Sequence, residues 1–165
     1  VILHEFGHIF AGQRLGLTVQ KITVYPFGAA AHFDLPATTP IAEILVSLAG
    51  PAVNFFFVLL FGLIYLFAPY ELLMMMGSIN LVLGVFNLFP VYPMDGGRVL
   101  RGMLWYFTDF KTGLTLAIRF GQILGVILVI AFLFYSLWIS VIFALMLFAG
   151  QKELNYFTSH YLEKR

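Results

Sequence analysis

The sequence predicts a mainly α fold, a polytopic transmembrane helical bundle with a short membrane-associated β hairpin, and three observations lead there. Of the 165 residues, 61% are hydrophobic and 10% charged, against about 45–50% and about 25% in soluble domains. Three stretches, 44–70, 72–94 and 120–151, contain no Asp, Glu, Lys or Arg, and each exceeds the roughly 20 residues that cross a bilayer as a helix. Between the first apolar segment and the second, Val19 to Tyr25 alternates apolar and polar in the manner of a strand. A water-soluble globule is excluded, because a shell of this size could not hide 19 Phe. Disorder is excluded by the same hydrophobicity. A net charge of +1 leaves no basic footprint for a nucleic-acid partner, and the absence of Cys removes disulfide and thiolate chemistry.

The elements follow in order. The chain opens Val1-Ile2-Leu3 directly before His4, so the first helix, running to about Leu15, reads as the second half of a longer, truncated N-terminal span. The strand pattern stops at Pro26 and Gly28 and resumes through Ala29 to Phe33, which predicts a short hairpin. Two prolines and two threonines between Asp34 and Pro40 mark a loop. The second span leads to a turn at Glu71, too short for an inserted domain, and the third returns until Pro90 and Pro93 break it. The last apolar stretch, 32 residues long, is too long for one span at about 1.5 Å per residue and short for two. Charge decides: with a hairpin turning near Tyr135-Ser136, all 9 Lys and Arg fall on or close to one side, which the positive-inside tendency makes cytoplasmic. Arg119 would then sit a turn or two inside its span, snorkelling or facing protein. A single transmembrane domain over residues 1–165 is expected.

His4-Glu5-Phe6-Gly7-His8 carries the chemistry. On a helix, positions four apart share a face, so both imidazoles can reach one zinc ion while Glu5 stays beside the water it activates. Zinc lowers the pKa of that water towards about 7, and the glutamate takes its proton as it attacks a carbonyl. Two His and a Glu within five positions of an apolar helix would be costly without such a role. Catalytic zinc takes three protein ligands and keeps one position open. Asp95, in Asn87-Leu88-Phe89-Pro90-Val91-Tyr92-Pro93-Met94-Asp95-Gly96-Gly97-Arg98, is the candidate third ligand, because broken backbone at membrane depth is tolerated only around protein or a watery cavity.

Those two motifs, together with Ala49-Gly50-Pro51-Ala52-Val53-Asn54, resemble the site-2 protease family of intramembrane zinc metalloproteases, in its compact prokaryotic branch, over nearly the whole chain. The resemblance implies His4, His8 and Asp95 as ligands of one zinc ion, Glu5 as general base, and Asn87 as a catalytic donor that polarises the scissile carbonyl or holds the water. It implies a short membrane-associated sheet beside the active site, and cleavage of a substrate's transmembrane helix in a prokaryotic cell membrane. The partners expected are a transmembrane protein substrate, the lipid bilayer and a regulatory membrane protein, without nucleic acid. The family's leading membrane segment, its inserted peptide-binding domain and its nucleotide-sensing domain are expected to be absent.

Other residues receive structural readings. Gly50, Pro51 and Asn54 suit close packing and a bend, with Asn54 as an interhelical hydrogen bonder. Arg98 and Arg101 suit phosphate headgroups, with Arg98 also bracing the Asp95 loop. His32 and His160 stay outside the site. A metal transporter would need ligands repeated along a path or in related halves, which are not found, and a catalytically dead scaffold would not need Glu5.

Overall fold

The computed structural model describes residues 1–17, 19–25, 28–33 and 39–162, with only the backbone of the strand residues and of 160–162. Its backbone divides into two compact units, Val1–Leu88 and Phe89–Arg165.

In the first unit, α1 (Ile2–Arg14) ends where Gly16 adopts φ +75°, a left-handed conformation open to glycine. Gly16 N–H then reaches Gln13 O at 3.1 Å and Leu17 N–H reaches Gly12 O at 2.9 Å, the paired bonds that close a helix C-terminus. Helix α2 (Pro40–Phe67) starts with Pro at its first position and with Thr39 Oγ1 accepting from Ala42 N–H at 3.2 Å. Its interior Pro51 lacks the N–H that would bond the carbonyl of Ser47. Helix α1 packs on α2 through Gly7, where a Cβ would stand 2.7 Å from Ala49 O and 2.8 Å from Val53 Cγ2. Helix α3 (Glu71–Asn87) packs on α2 where Gly84 meets Asn54 and Phe55.

The second unit holds α4 (Asp95–Phe107), α5 (Phe110–Leu133) and α6 (Leu137–Leu162). The turn between α5 and α6 lies at Phe134–Ser136, where the hairpin reading put it. Gly113, Ala117, Gly121 and Gly125 form a buried stripe of small residues four apart along α5. A Cβ at Gly113 would lie 2.7 Å from the Trp105 backbone N of α4, and one at Gly125 would meet Leu147 of α6. The core between them is Val91, Tyr92, Leu114, Ala117, Ile118, Phe143 and Phe157. Gln122 adds a polar rung, donating to Gln151 Oε1 at 2.9 Å and accepting from exposed Arg119 at 3.2 Å.

Among the described residues three helices, α2, α5 and Leu137–Ser159 of α6, are long and apolar enough to cross a membrane, while α3 is a shorter apolar helix. Their outward faces carry residues such as Leu59 and Phe148, each 74% exposed, a surface suited to lipid.

The expected membrane-associated β hairpin is corrected. Over the residues whose side chains are described, the regular structure is helix joined by turns, and no strand enters it. The pairing seen is a backbone ladder of β1 (Val19–Tyr25) and β2 (Gly28–Phe33), antiparallel, with Val24 opposite Ala29, lying alongside α1. An open ribbon of two strands leaves a row of N–H and C=O groups bare on each edge, which hydrocarbon does not tolerate. The alternation in the sequence corresponds to this backbone ladder, and a membrane-associated β hairpin is not seen. The loop expected at 34–40 and the side chains of His32 and His160 fall mostly or wholly outside the described residues.

Candidate metal centre

Helix α1 places His4 and His8 one turn apart on its buried face, each 6% exposed, with Glu5 half-buried beside them. The two rings meet edge to face with centroids 4.8 Å apart, and their Nε2 atoms stand 3.1 Å from each other. Two nitrogens bound to one tetrahedral zinc at about 2.0–2.1 Å would stand about 3.3–3.4 Å apart. The pair is thus already close to the separation one ion would require.

Helix α2 holds both rings from behind. Val46, Gly50 and Asn54 recur at four-residue intervals, so they line one face of α2 as His4 and His8 line one face of α1. His8 Nδ1 donates to the Val46 carbonyl at 2.7 Å. A carbonyl can only accept, so the hydrogen belongs on Nδ1 and the neutral ring turns the lone pair of Nε2 towards His4. Asn54, 2% exposed, donates from Nδ2 to His4 Nδ1 at 3.1 Å.

Between these contacts Gly50 supplies room. A Cβ there would overlap His8 Nε2 and would come within 2.7 Å of His4 Cε1. Only a residue without a side chain lets two imidazoles lie against the α2 backbone, and the same absence opens the Val46 carbonyl one turn earlier to His8. Two imidazoles at this spacing, in a cradle that a single methyl would fill, fit a borderline-soft cation such as zinc.

Asp95 is the first residue of α4, 7% exposed, where the positive end of the helix favours a carboxylate. The segment before it turns back through Met94 N–H to Val91 O at 2.9 Å. Gly97 permits this close return, since a Cβ would stand 3.0 Å from Tyr92 N and Val91 C. Asn87, the last residue of α3, is half-buried at the helix end. Arg101 departs from its expected headgroup role: it is 3% exposed, with its guanidinium 5.5 Å from the Tyr92 ring and 5.3 Å from the Phe110 ring. A planar cation stacked on aromatic faces can be buried where an ammonium would demand water.

From the sequence, Gly50 reads as close packing and Asn54 as a hydrogen bonder between helices with no partner named, and Val46 receives no role. The available signal was their periodicity: positions 46, 50 and 54 on one helix match 4 and 8 on another, and a Gly with an Asn one turn on marks a face that can receive polar rings.

A family model described as peptidase family M50 matches residues 1–70 and 67–131. A zinc metalloprotease of Methanocaldococcus jannaschii is 31% identical over 159 residues, covering 93% of this chain and 46% of the relative. A relative from Synechocystis sp. is 38% identical over 133 residues, covering 76% of this chain and 35% of its own length. This chain therefore spans less than half the length of these curated relatives. Among solved structures, the site-2 protease from Methanocaldococcus jannaschii superposes with a TM-score of 0.75 at 29% identity, over 92% of this chain and 72% of that one.

Proposed function

The chain belongs to peptidase family M50, the site-2 protease family, and on that premise we propose that it is an intramembrane zinc metalloendopeptidase. Its reaction is hydrolysis of a peptide bond within or near the transmembrane segment of a membrane-protein substrate, as a step of regulated intramembrane proteolysis. The observation that carries this reading is the imidazole pair, with Nε2 atoms 3.1 Å apart and backed by the Gly50 cradle.

In this reading residues 1–165 work as one metalloprotease domain, and His4, His8 and Asp95 hold a single zinc ion. When bound, zinc supplies Lewis-acid polarisation of the carbonyl and a more acidic water. Glu5, one residue after His4, takes the proton from the attacking water and returns it to the amine that leaves. Asn87 donates its amide hydrogen to the carbonyl oxygen as charge develops there, a contribution of about 3 kcal/mol for a well-placed donor. A substrate helix has its backbone hydrogen bonds closed within itself, so it must unwind locally before any carbonyl can present itself to these groups. The nine basic residues support an active site towards the cytoplasmic side of a prokaryotic membrane, and a regulatory membrane protein is the further partner proposed.

The test is cleavage of single-span membrane substrates in lipid vesicles by the zinc-loaded protein, beside Glu5→Gln with zinc measured in both. The expected result is product from the wild type, and a rate about 10²- to 10⁴-fold lower from a variant that retains its zinc. Equal cleavage by both proteins would remove Glu5 from its role. Zinc flux across the vesicle, carried equally by both without cleavage, would replace the protease with a transporter.

A further inference from the structure

The contacts to His4 and His8 differ in one respect. Val46 can only accept from His8 Nδ1, at 2.7 Å, whereas Asn54 offers His4 an amide, whose Nδ2 lies 3.1 Å from Nδ1. An amide carries a donor and an acceptor of nearly equal shape, and half a turn about its last torsion exchanges them. As it stands, donation from Nδ2 requires a lone pair on His4 Nδ1. In the neutral ring that puts the hydrogen on Nε2, the atom 3.1 Å from His8 Nε2, whose lone pair receives it.

A metal held by both rings needs a lone pair on both Nε2 atoms. His8 satisfies this already, because Val46 fixes its hydrogen on Nδ1. His4 satisfies it only after its hydrogen passes from Nε2 to Nδ1, with no change in net charge, and Nδ1–H then needs an acceptor. Resting on the assignment of His4 as a metal ligand, we infer that Asn54 is the positioning residue for His4: its amide donates to Nδ1 in the metal-free protein and turns over to accept from Nδ1–H when zinc is bound. The Asn amide serves both states. Leu fills the same space with neither group, and ionised Asp accepts only. Asn54 is 2% exposed and packed beside Gly84, so no solvent water is at hand to stand in for either role.

The experiment measures zinc affinity by chelator competition, with metal-free thermal stability, for the full chain, Asn54→Leu and Asn54→Asp. The expected result is zinc binding about 10- to 100-fold weaker in Asn54→Leu, as for lost partners of metal-bound histidines, and binding at least as tight as wild type in Asn54→Asp. Equal affinity of Asn54→Leu and wild type would overturn the inference, as would an Asn54→Asp variant no tighter than Asn54→Leu. A second measurement needs no variant: nitrogen-15 resonances of His4 should show Nδ1 bare without metal and protonated with zinc, and a protonated Nδ1 in the neutral metal-free ring would overturn the turn of the amide. Wild-type protein that takes up no zinc would overturn the metal assignment itself and this inference with it. Zinc-competent wild type with an indifferent Asn54 would overturn the inference alone.

Discussion

Gly50 in α2 and Gly125 in α5 are both buried, both sit in apolar helices and both face a neighbouring helix, yet they make room for different things. A Cβ at Gly50 would run into the nitrogens and carbons of His8 and His4, whereas a Cβ at Gly125 would meet Leu147, whose Cδ2 lies 2.5 Å away. In the first unit the space left by a missing side chain admits two buried imidazole rings. In the second it lets two helices approach and seats the flexible end of a leucine. A small residue in a membrane helix announces a close approach, and the residue standing over it determines whether that approach builds a site or a seam.

The comparison can be broken by giving each glycine a methyl group. Gly50→Ala should weaken zinc binding about 10- to 100-fold and lower metal-free stability by about 1–3 kcal/mol, the range for overpacking, because a Cβ there overlaps the buried His8 and His4 rings. Chelator competition and thermal unfolding in detergent read the two quantities separately. Unaltered zinc affinity would mean that the rings have room the structure does not show. Gly125→Ala should disturb neither strongly. Zinc affinity is retained, and stability changes by less than about 1 kcal/mol, since the end of Leu147 can move and the helix gains from Ala over Gly by about 1 kcal/mol. A loss of zinc affinity there would erase the distinction between the two contacts.

The smallest effect sharpens the same contrast at the surface of the second unit. Asp109 caps α5, accepting from Lys111 N–H at 3.0 Å and Thr112 N–H at 3.1 Å, and from the Thr112 hydroxyl. The Thr112 hydroxyl, followed by the Thr112 backbone N–H, holds its pKa below the usual carboxylate value of 3.8. Stability gained by a lowered carboxylate pKa is present above the unfolded value and is lost as pH falls through the folded one. Melting curves of wild type should therefore lose stability below about pH 4 more steeply than those of Asp109→Asn, with no difference between them in slope near neutrality. Parallel acid limbs would show that the cap contributes nothing through ionisation.

The readable part of this molecule was whatever side chains announce at fixed spacing. His4 and His8 could be placed on one face because four residues make about one helical turn, and the turn between α5 and α6 followed from the placement of Lys and Arg. The support behind the histidines was less visible for physical reasons. Val46 acts through a carbonyl that every residue possesses, and Gly50 acts by lacking a side chain. Asn54 was identified as a hydrogen bonder between helices, but its partner could not be named without the fold. Arg101 was misread because cationic residues near a span end commonly reach headgroups, while its aromatic surroundings, Tyr92 and Phe110, come from sequence positions far enough apart that only packing brings them to it. The alternation of Val19 to Tyr25 corresponds to a backbone ladder, but the membrane-associated β hairpin expected from it is not seen, since periodicity carries no information on solvent.

The most direct test of the central claim is zinc X-ray absorption spectroscopy of the purified, metal-loaded protein beside His8→Ala and Asp95→Asn. The account predicts a four-coordinate zinc with two imidazole nitrogens and oxygen donors at about 2.0–2.1 Å, one imidazole fewer in His8→Ala, and an altered oxygen shell in Asp95→Asn. Spectra without imidazole, or spectra indifferent to the loss of His8, would contradict it.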